Sequence, residues 1–428
     1  MVFGFTGVLM SIVGLYSLMG LFIIGYIAII LEHYVRVNKT AVGVLLAGAL
    51  WMIYFLVGGD LNPSLELSKH LSEVSQVIFF LLGAMTLVEL VDSHKGFNTV
   101  IRMIHTTSKR RMLVIISFFA FFLSSVLDNL TTTILMISVL RKLVPEKKER
   151  LTLNCMVVIA ANAGGAWTPI GDVTTTMLWI NHRVSTFAVM TKVFIPSLIS
   201  MVVPLGIFLL FTKGQYRSDE NDLFSEDTEP GATIVFTLGI LSLIAVPFLK
   251  WATGIPPFMG MLIALALLWF VTDILHFKYD NREHLRVPHI LTKIDISSVF
   301  FFMGILLSIN ALEAVGILKD IAIWLDQVTS SRLMIATFIG LVSAIVDNIP
   351  LVAATMGMYD GTIYPMDNPF WLMIAYTAGT GGSLLIIGSA AGVALMGIEK
   401  VDFISYMKKA TIPALVGYLA GVVYFIFC

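Results

Sequence analysis

The sequence predicts an all-α polytopic membrane protein, built from two inverted-topology repeats that each hold a re-entrant helical hairpin and a discontinuous transmembrane helix. Three observations predict it. Of the 428 residues, 57% are hydrophobic and 13% charged, where soluble domains run about 45–50% and about 25%. Lysine and arginine concentrate in alternate loops, and two polar interruptions of one kind recur in the same order half a chain apart. The balance of 27 basic against 28 acidic residues leaves no basic excess for a nucleic-acid partner. Cys155 and Cys428, far apart and outside any CxxC pattern, indicate neither a disulfide nor a zinc site.

Apolar runs long enough to cross about 30 Å of hydrocarbon lie near 5–31, 41–57, 74–91, 187–212, 232–249, 256–276, 296–318 and 410–427. The first has no basic residue before it and exceeds the apolar core of a secretory signal, so it reads as a retained span. Two further stretches, 152–181 and 371–397, are broken by glycines and polar residues, and 112–140 and 333–358 carry Asp-Asn near their centres. An acidic linker occupies 218–229.

Short cytoplasmic loops carry the positive excess. The segments 92–111 and 141–150 hold five basic residues each and flank 112–140, so 112–140 must enter and leave on one side, as a hairpin. With 333–358 entering from the opposite face, 21 basic residues lie inside and six outside: Lys69, Arg183, Lys192, Lys250, Lys319 and Arg332. This supports ten spans with both termini outside. The expected divisions are N-terminal spans at 1–73, a first repeat at 74–217, the linker and connecting spans at 218–295, and a second repeat at 296–428.

The repeat is visible residue by residue. Ser124-Ser125-Val126-Leu127-Asp128-Asn129 returns as Ser343-Ala344-Ile345-Val346-Asp347-Asn348 at an offset of 219. Asn162-Ala163-Gly164-Gly165 through Gly171 matches Gly379-Thr380-Gly381-Gly382 through Gly388 at an offset of 217, and Ile195-Pro196-Ser197 meets Ile412-Pro413-Ala414 at that same offset. Because the charge pattern sends 74–91 inward and 296–318 outward, the halves are expected to be inverted, a plan found among secondary transporters.

An unsatisfied backbone group costs several kcal/mol in hydrocarbon, so interrupted helices persist only inside protein or beside water. Each half offers two interruptions. The first supplies Asp128, Asn129, Thr131, Thr132, Asn162, Thr168, Asp172, Thr174 and Thr175; the second supplies Ser343, Asp347, Asn348, Thr380 and Ser383. Asp128, Asp172 and Asp347 have no lysine or arginine in their own apolar segments. A bare charge there costs about 2.5–3.5 kcal/mol or more, so a proton or a bound cation must neutralise it. Oxygen ligands without thiols or paired histidines suit a hard cation such as sodium or lithium, and a proton competing for the same group gives exchange. Blander readings stand beside this one: an aspartate bonding a neighbouring helix, glycine pairs that only pack closely, threonines bonded to their own helix. Glu89 and Glu313, late in matching spans, are candidates for a proton relay or for interfacial solvation. His94 has the intrinsic pKa of a pH sensor, although a lone histidine in a basic loop is more often simply solvated.

At these residues the sequence resembles the NhaD-type sodium/proton antiporters of the ion transporter superfamily. The similarity rests on the run from Ser124 to Thr133, on Asn162-Ala163-Gly164-Gly165-Ala166-Trp167-Thr168-Pro169-Ile170-Gly171-Asp172 with the threonines after it, and on Ser343 to Pro350. The resemblance implies a scaffold and a mobile transport unit, a homodimer in the lipid bilayer, and sodium and lithium efflux against proton influx across a bacterial inner membrane. It places ion handling on Asp128, Asn129, Asn162, Asp172, Thr174 and Thr175, with sodium itself at Asp128, Asn129, Asn162 and Asp172. In the second half it points to Ser343, Asp347, Asn348 and Ser383. That half departs from the first, with Ile386 where Pro169 stands and Ser389 where Asp172 stands. The N-terminus lacks the serine- and arginine-rich character of a plastid transit peptide. No cofactor is implied beyond the transported cation. The alternatives are a carrier of arsenite or of di- and tricarboxylates, against which the fixed carboxylates argue, and an intramembrane aspartyl protease. The latter needs a Gly-x-Gly-Asp context and has no use for the repeat, so no enzyme is expected.

Overall fold

A computed structural model describes residues 12–30, 37–57, 62–96, 106–144, 146–216, 229–329, 331–359 and 361–427. The linker 218–229 lies outside them except for its last residue, as do the start of the first apolar run and Cys428. Among the described residues the α-helices of seven residues or more are, in chain order, α1 (Ile12–Ile30), α2 (Lys39–Val57), α3 (Pro63–Ser93), α4 (Lys109–Ser124), α5 (Asn129–Leu143), α6 (Lys147–Ala166), α7 (Val173–Ile180), α8 (Thr186–Lys192), α9 (Phe194–Phe211), α10 (Ala232–Thr253), α11 (Pro257–His276), α12 (Ile296–Ala314), α13 (Ile317–Val328), α14 (Arg332–Val342), α15 (Asn348–Met358), α16 (Pro369–Gly381), α17 (Ala390–Glu399) and α18 (Ile412–Phe427). No β-strand occurs among the described residues.

Among the described residues, seven helical stretches are long and apolar enough to cross a bilayer, and their outward faces carry bare apolar side chains such as Leu45, Phe211 and Trp251, each more than 70% exposed. Such a surface is tolerated in lipid and not in water, so this is a multi-pass membrane protein. The four polar stretches are each divided into two helices. Those at 112–140 and 333–358 are each interrupted at the Asp-Asn pair, giving α4 and α5, and α14 and α15. Those at 152–181 and 371–397 break after the glycines, giving α6 and α7, and α16 and α17.

Two boundaries depart from the apolar pattern for visible reasons. Helix α3 starts at Pro63, well before residue 74, because the Asn62 side chain accepts the Leu65 amide and Pro63 occupies the first helical position. Its first turns carry Glu66, Lys69, His70 and Glu73, which a hydropathy window passes over. The run expected at 296–318 instead stops at Ala314, since Gly316 turns the chain at φ 84°. The amphipathic α13 then follows, burying Ile317, Leu318 and Ala322.

Helices α6 and α16 form the centre. Residues 153–166 and 370–381 are buried on every side, as expected of helices enclosed by others. Helix α6 packs against α4, α5, α9 and α16, while α16 packs against α14 and α18. The contacts of the two centres correspond. Ser124 donates to the Ala161 carbonyl over 2.6 Å, and Ser343 to the Ala378 carbonyl over 3.0 Å. A β-carbon built on Gly164 would lie 2.0 Å from the Phe121 carbonyl oxygen, and one on Gly381 would lie 2.0 Å from that of Gly340. Only glycine permits these crossings, so Gly164 and Gly381 serve close packing.

Candidate functional site

The break between α6 and α7 places Asp172 immediately ahead of α7, where it caps the helix. Its Oδ1 accepts from the Thr174 backbone N–H at 3.0 Å and from the Thr174 hydroxyl at 2.9 Å. Capping of this kind fixes the carboxylate plane and leaves Oδ2 facing the other interruptions. Asn129, first residue of α5, donates its Nδ2 to Asp172 Oδ2 over 3.1 Å and to Asn162 Oδ1 over 3.0 Å. Asn348, first residue of α15, approaches the same Oδ2 from the other half at 3.5 Å. Asn162, inside α6, donates its own Nδ2 to Ser383 Oγ at 3.0 Å and to Ser389 Oγ at 2.9 Å. One hydrogen-bonded network thus joins α5 and α15 to the breaks between α6 and α7 and between α16 and α17. Asp172, Asn129, Asn162, Asn348, Ser383 and Ser389 are all buried.

The aspartates of the two Asp-Asn pairs take a different place from the asparagines. Asp128 caps α5, its oxygens accepting from the Thr131 backbone N–H at 2.7 Å and the Thr131 hydroxyl at 2.8 Å, and it makes no hydrogen bond to the central network. Asp347 stands at the matching position with Oδ1 buried and without a hydrogen-bond partner. Both lie within electrostatic reach of Asp172. None of the ion pairs among the described residues involves these three aspartates. Lys39, at the start of α2, contributes to the field at Asp347 from outside its segment.

Of the remaining sequence candidates, Thr174 belongs to the network through Asp172. Thr175 donates to the Ala166 carbonyl and Ser343 to that of Ala378, so both hydroxyls tie helices together. Glu89 lies near the end of α3, accepting from Ser93. Glu313 lines a cavity of about 1000 Å³ together with Glu73, Arg183, Arg332 and, on α7, Met177. His94 corrects the expectation of a solvated loop histidine. It is fully buried, with Nδ1 2.7 Å from the Leu90 carbonyl oxygen and Nε2 2.9 Å from His276 Nε2, because the turn ending α3 packs against the end of α11.

Two residues escaped the sequence reading. Ser389, taken there as a departure from Asp172, caps α17 by accepting from Gly392 and receives Asn162; the 217-residue offset already set it opposite Asp172. Glu399, just beyond the 371–397 stretch, is buried and pairs with Arg141 at 2.5 Å and Arg150 at 2.9 Å, which closes α5 and α6 onto α17.

Interrupted helices from two matched halves, meeting at a buried carboxylate and a set of amides and hydroxyls, define a secondary carrier of the broken-helix kind. Comparison with known proteins agrees. Residues 26–367 match a family model described as "Citrate transporter". The chain is 49% identical to sodium/proton antiporter 1 of Arabidopsis thaliana over 94% of its length and 70% of the relative's. It is 47% identical to sodium/proton antiporter 2 of the same plant over 94% and 97%. It is 31% identical to the Na(+)/H(+) antiporter NhaD of Vibrio cholerae over 95% and 90%. The chain belongs to the NhaD-type sodium/proton antiporter family, within the wider family of that citrate transporter model.

Proposed function

We propose that this protein exchanges sodium, and also lithium, for protons, and that Asp172 is the group for which cation and proton compete. The network around Asp172 carries the reading. A buried carboxylate held by amide and hydroxyl groups, with no ion-paired lysine or arginine, must be neutralised by a hydrogen ion or a small hard cation. With a proton on Oδ2, the carboxyl can donate to an amide oxygen after Asn129 or Asn348 turns. With the proton gone, Oδ2, Asn129 Oδ1, Asn348 Oδ1 and the serine hydroxyls can supply oxygen ligands. Each state excludes the other, which is the requirement for coupled exchange.

The names of the relatives support the same cation chemistry. In this reading the halves have opposite orientations, the hairpins and broken helices move against a scaffold that includes α2, α3 and α12, and two copies associate. The cavity bounded by Glu313 and Met177 gives access from the face that carries Lys69, Arg183, Lys319 and Arg332. Glu313 conducts protons or cations through it. Asp128 and Asp347 tune the site by their charge. The membrane is a bacterial inner membrane or, given the plant relatives, a plant one.

In everted vesicles, sodium should collapse an imposed ΔpH, and Asp172→Asn should abolish that response. Normal exchange by Asp172→Asn would remove the assignment. Uptake of labelled citrate driven by sodium, with no cation-induced ΔpH change, would favour an anion carrier.

A further inference from the structure

The 217-residue register that sets Ser389 opposite Asp172 sets Gly379 opposite Asn162. The two positions are equally buried, on α6 and α16, and differ entirely in what they contribute. Asn162 bridges the halves with its amide, whereas α16 brings only backbone to the corresponding place. A β-carbon built on Gly379 would lie 2.9 Å from Ala166 Cβ and 3.7 Å from Asp172 Oδ2. Oδ2 is also the less committed oxygen of Asp172. Its two donors stand at 3.1 and 3.5 Å, whereas Oδ1 is held at 3.0 and 2.9 Å by the backbone and side chain of one residue, Thr174. The side of the carboxylate able to take a ligand is therefore the side that Gly379 borders.

We propose that Gly379 sets the size of the monovalent cation that Asp172 accepts, by leaving the approach to Oδ2 free of a side chain. The proposal rests on the reading that Asp172 takes the cation. A methyl group on residue 379 would stand against one flank of any ion at Oδ2. It would hinder a larger ion with its wider coordination shell more than a smaller one, so discrimination should move from sodium toward lithium and further from potassium.

The test uses Gly379→Ala with and without Ala166→Gly, and Ala166→Gly alone, in the full-length protein. The single Gly379→Ala variant forces two methyl groups together at the α6–α16 crossing, which by itself perturbs packing. Ala166→Gly removes that clash and keeps the new methyl near Oδ2. Half-saturating concentrations of sodium, lithium and potassium are measured in everted vesicles, and monodispersity is checked in detergent. The double variant should hold lithium exchange near that of Ala166→Gly while its half-saturating sodium concentration rises roughly tenfold, the scale of one added methyl in a fitted pocket. An unchanged sodium/lithium ratio overturns the proposal. So does a double variant that aggregates where Ala166→Gly does not, since Gly379 would then be a packing position only. If the unaltered protein exchanges no cation, the reading of Asp172 fails instead, and the two failures are distinct.

Discussion

The amide nitrogen of Asn129 stands 3.1 Å from Asp172 Oδ2 and 3.0 Å from Asn162 Oδ1, so a single side chain at the start of α5 is bonded to both sides of the break between α6 and α7. Any displacement of α5 must break or redirect these bonds. A hydrogen bond to a charged group contributes about 1.5–3 kcal/mol. Asn129→Ala should therefore raise the half-saturating sodium concentration about tenfold or more, measured as cation-induced ΔpH dissipation. Unchanged half-saturation would mean that Asn129 holds α5 in place without acting on the carboxylate.

Ser389 both caps α17 and accepts from Asn162. Removing a capping hydroxyl costs about 0.5–2 kcal/mol, and the Asn162 amide keeps Ser383 as its other acceptor. Ser389→Ala should lower the melting temperature and weaken sodium several-fold without abolishing exchange, while Ser389→Thr should restore most of both. Equal loss in the alanine and threonine variants would count against the hydroxyl.

Much of this arrangement was legible in the sequence, and its gaps have physical causes. Asp-Asn pairs and glycines interrupting apolar runs at nearly one offset announce helix breaks, because an exposed backbone cannot survive in hydrocarbon. In the first pair, which side chain turns inward is decided by capping geometry: Asp128 folds back on Thr131 while Asn129 reaches the centre, and no linear pattern records that. Ser389 was concealed because a serine and an aspartate can fill the same capping position with different charge. The bonds from Asn162 span 221 and 227 residues, beyond any local signal. The long start of α3 was readable from Asn62 and Pro63, although not from hydropathy.

Glu399 holds Arg141 and Arg150 with its carboxylate buried. Removing one member of a buried pair leaves an uncompensated charge, at a cost of about 3–5 kcal/mol. Glu399→Gln should lower thermal stability by that scale, and Glu399→Gln combined with Arg150→Met should recover part of it. Thermal unfolding in detergent measures both. Additive losses would show that the groups are not coupled.

The His94–His276 contact makes an acid-sensitive joint between α3 and α11. With Nδ1 of His94 bonded to the Leu90 carbonyl, its Nε2 must accept from His276, so a proton added to His94 breaks the contact. Burial pushes the His94 imidazole down to about 4. The folded protein therefore keeps it neutral while the unfolded chain gains its proton below about pH 6.5. No penalty exists above that pH, and it grows as pH falls toward 4. His94→Gln should flatten the fall of melting temperature between pH 7 and pH 4.5. A slope equal to that of the unaltered protein would place the acid sensitivity elsewhere.

Competition between a hydrogen ion and sodium at one carboxyl can be observed without transport. Purified protein in weakly buffered detergent near neutral pH should release protons when sodium is added. Asp172→Asn should release none, while remaining folded and monodisperse. Proton release by Asp172→Asn equal to that of the unaltered protein would contradict the assignment of exchange to this residue.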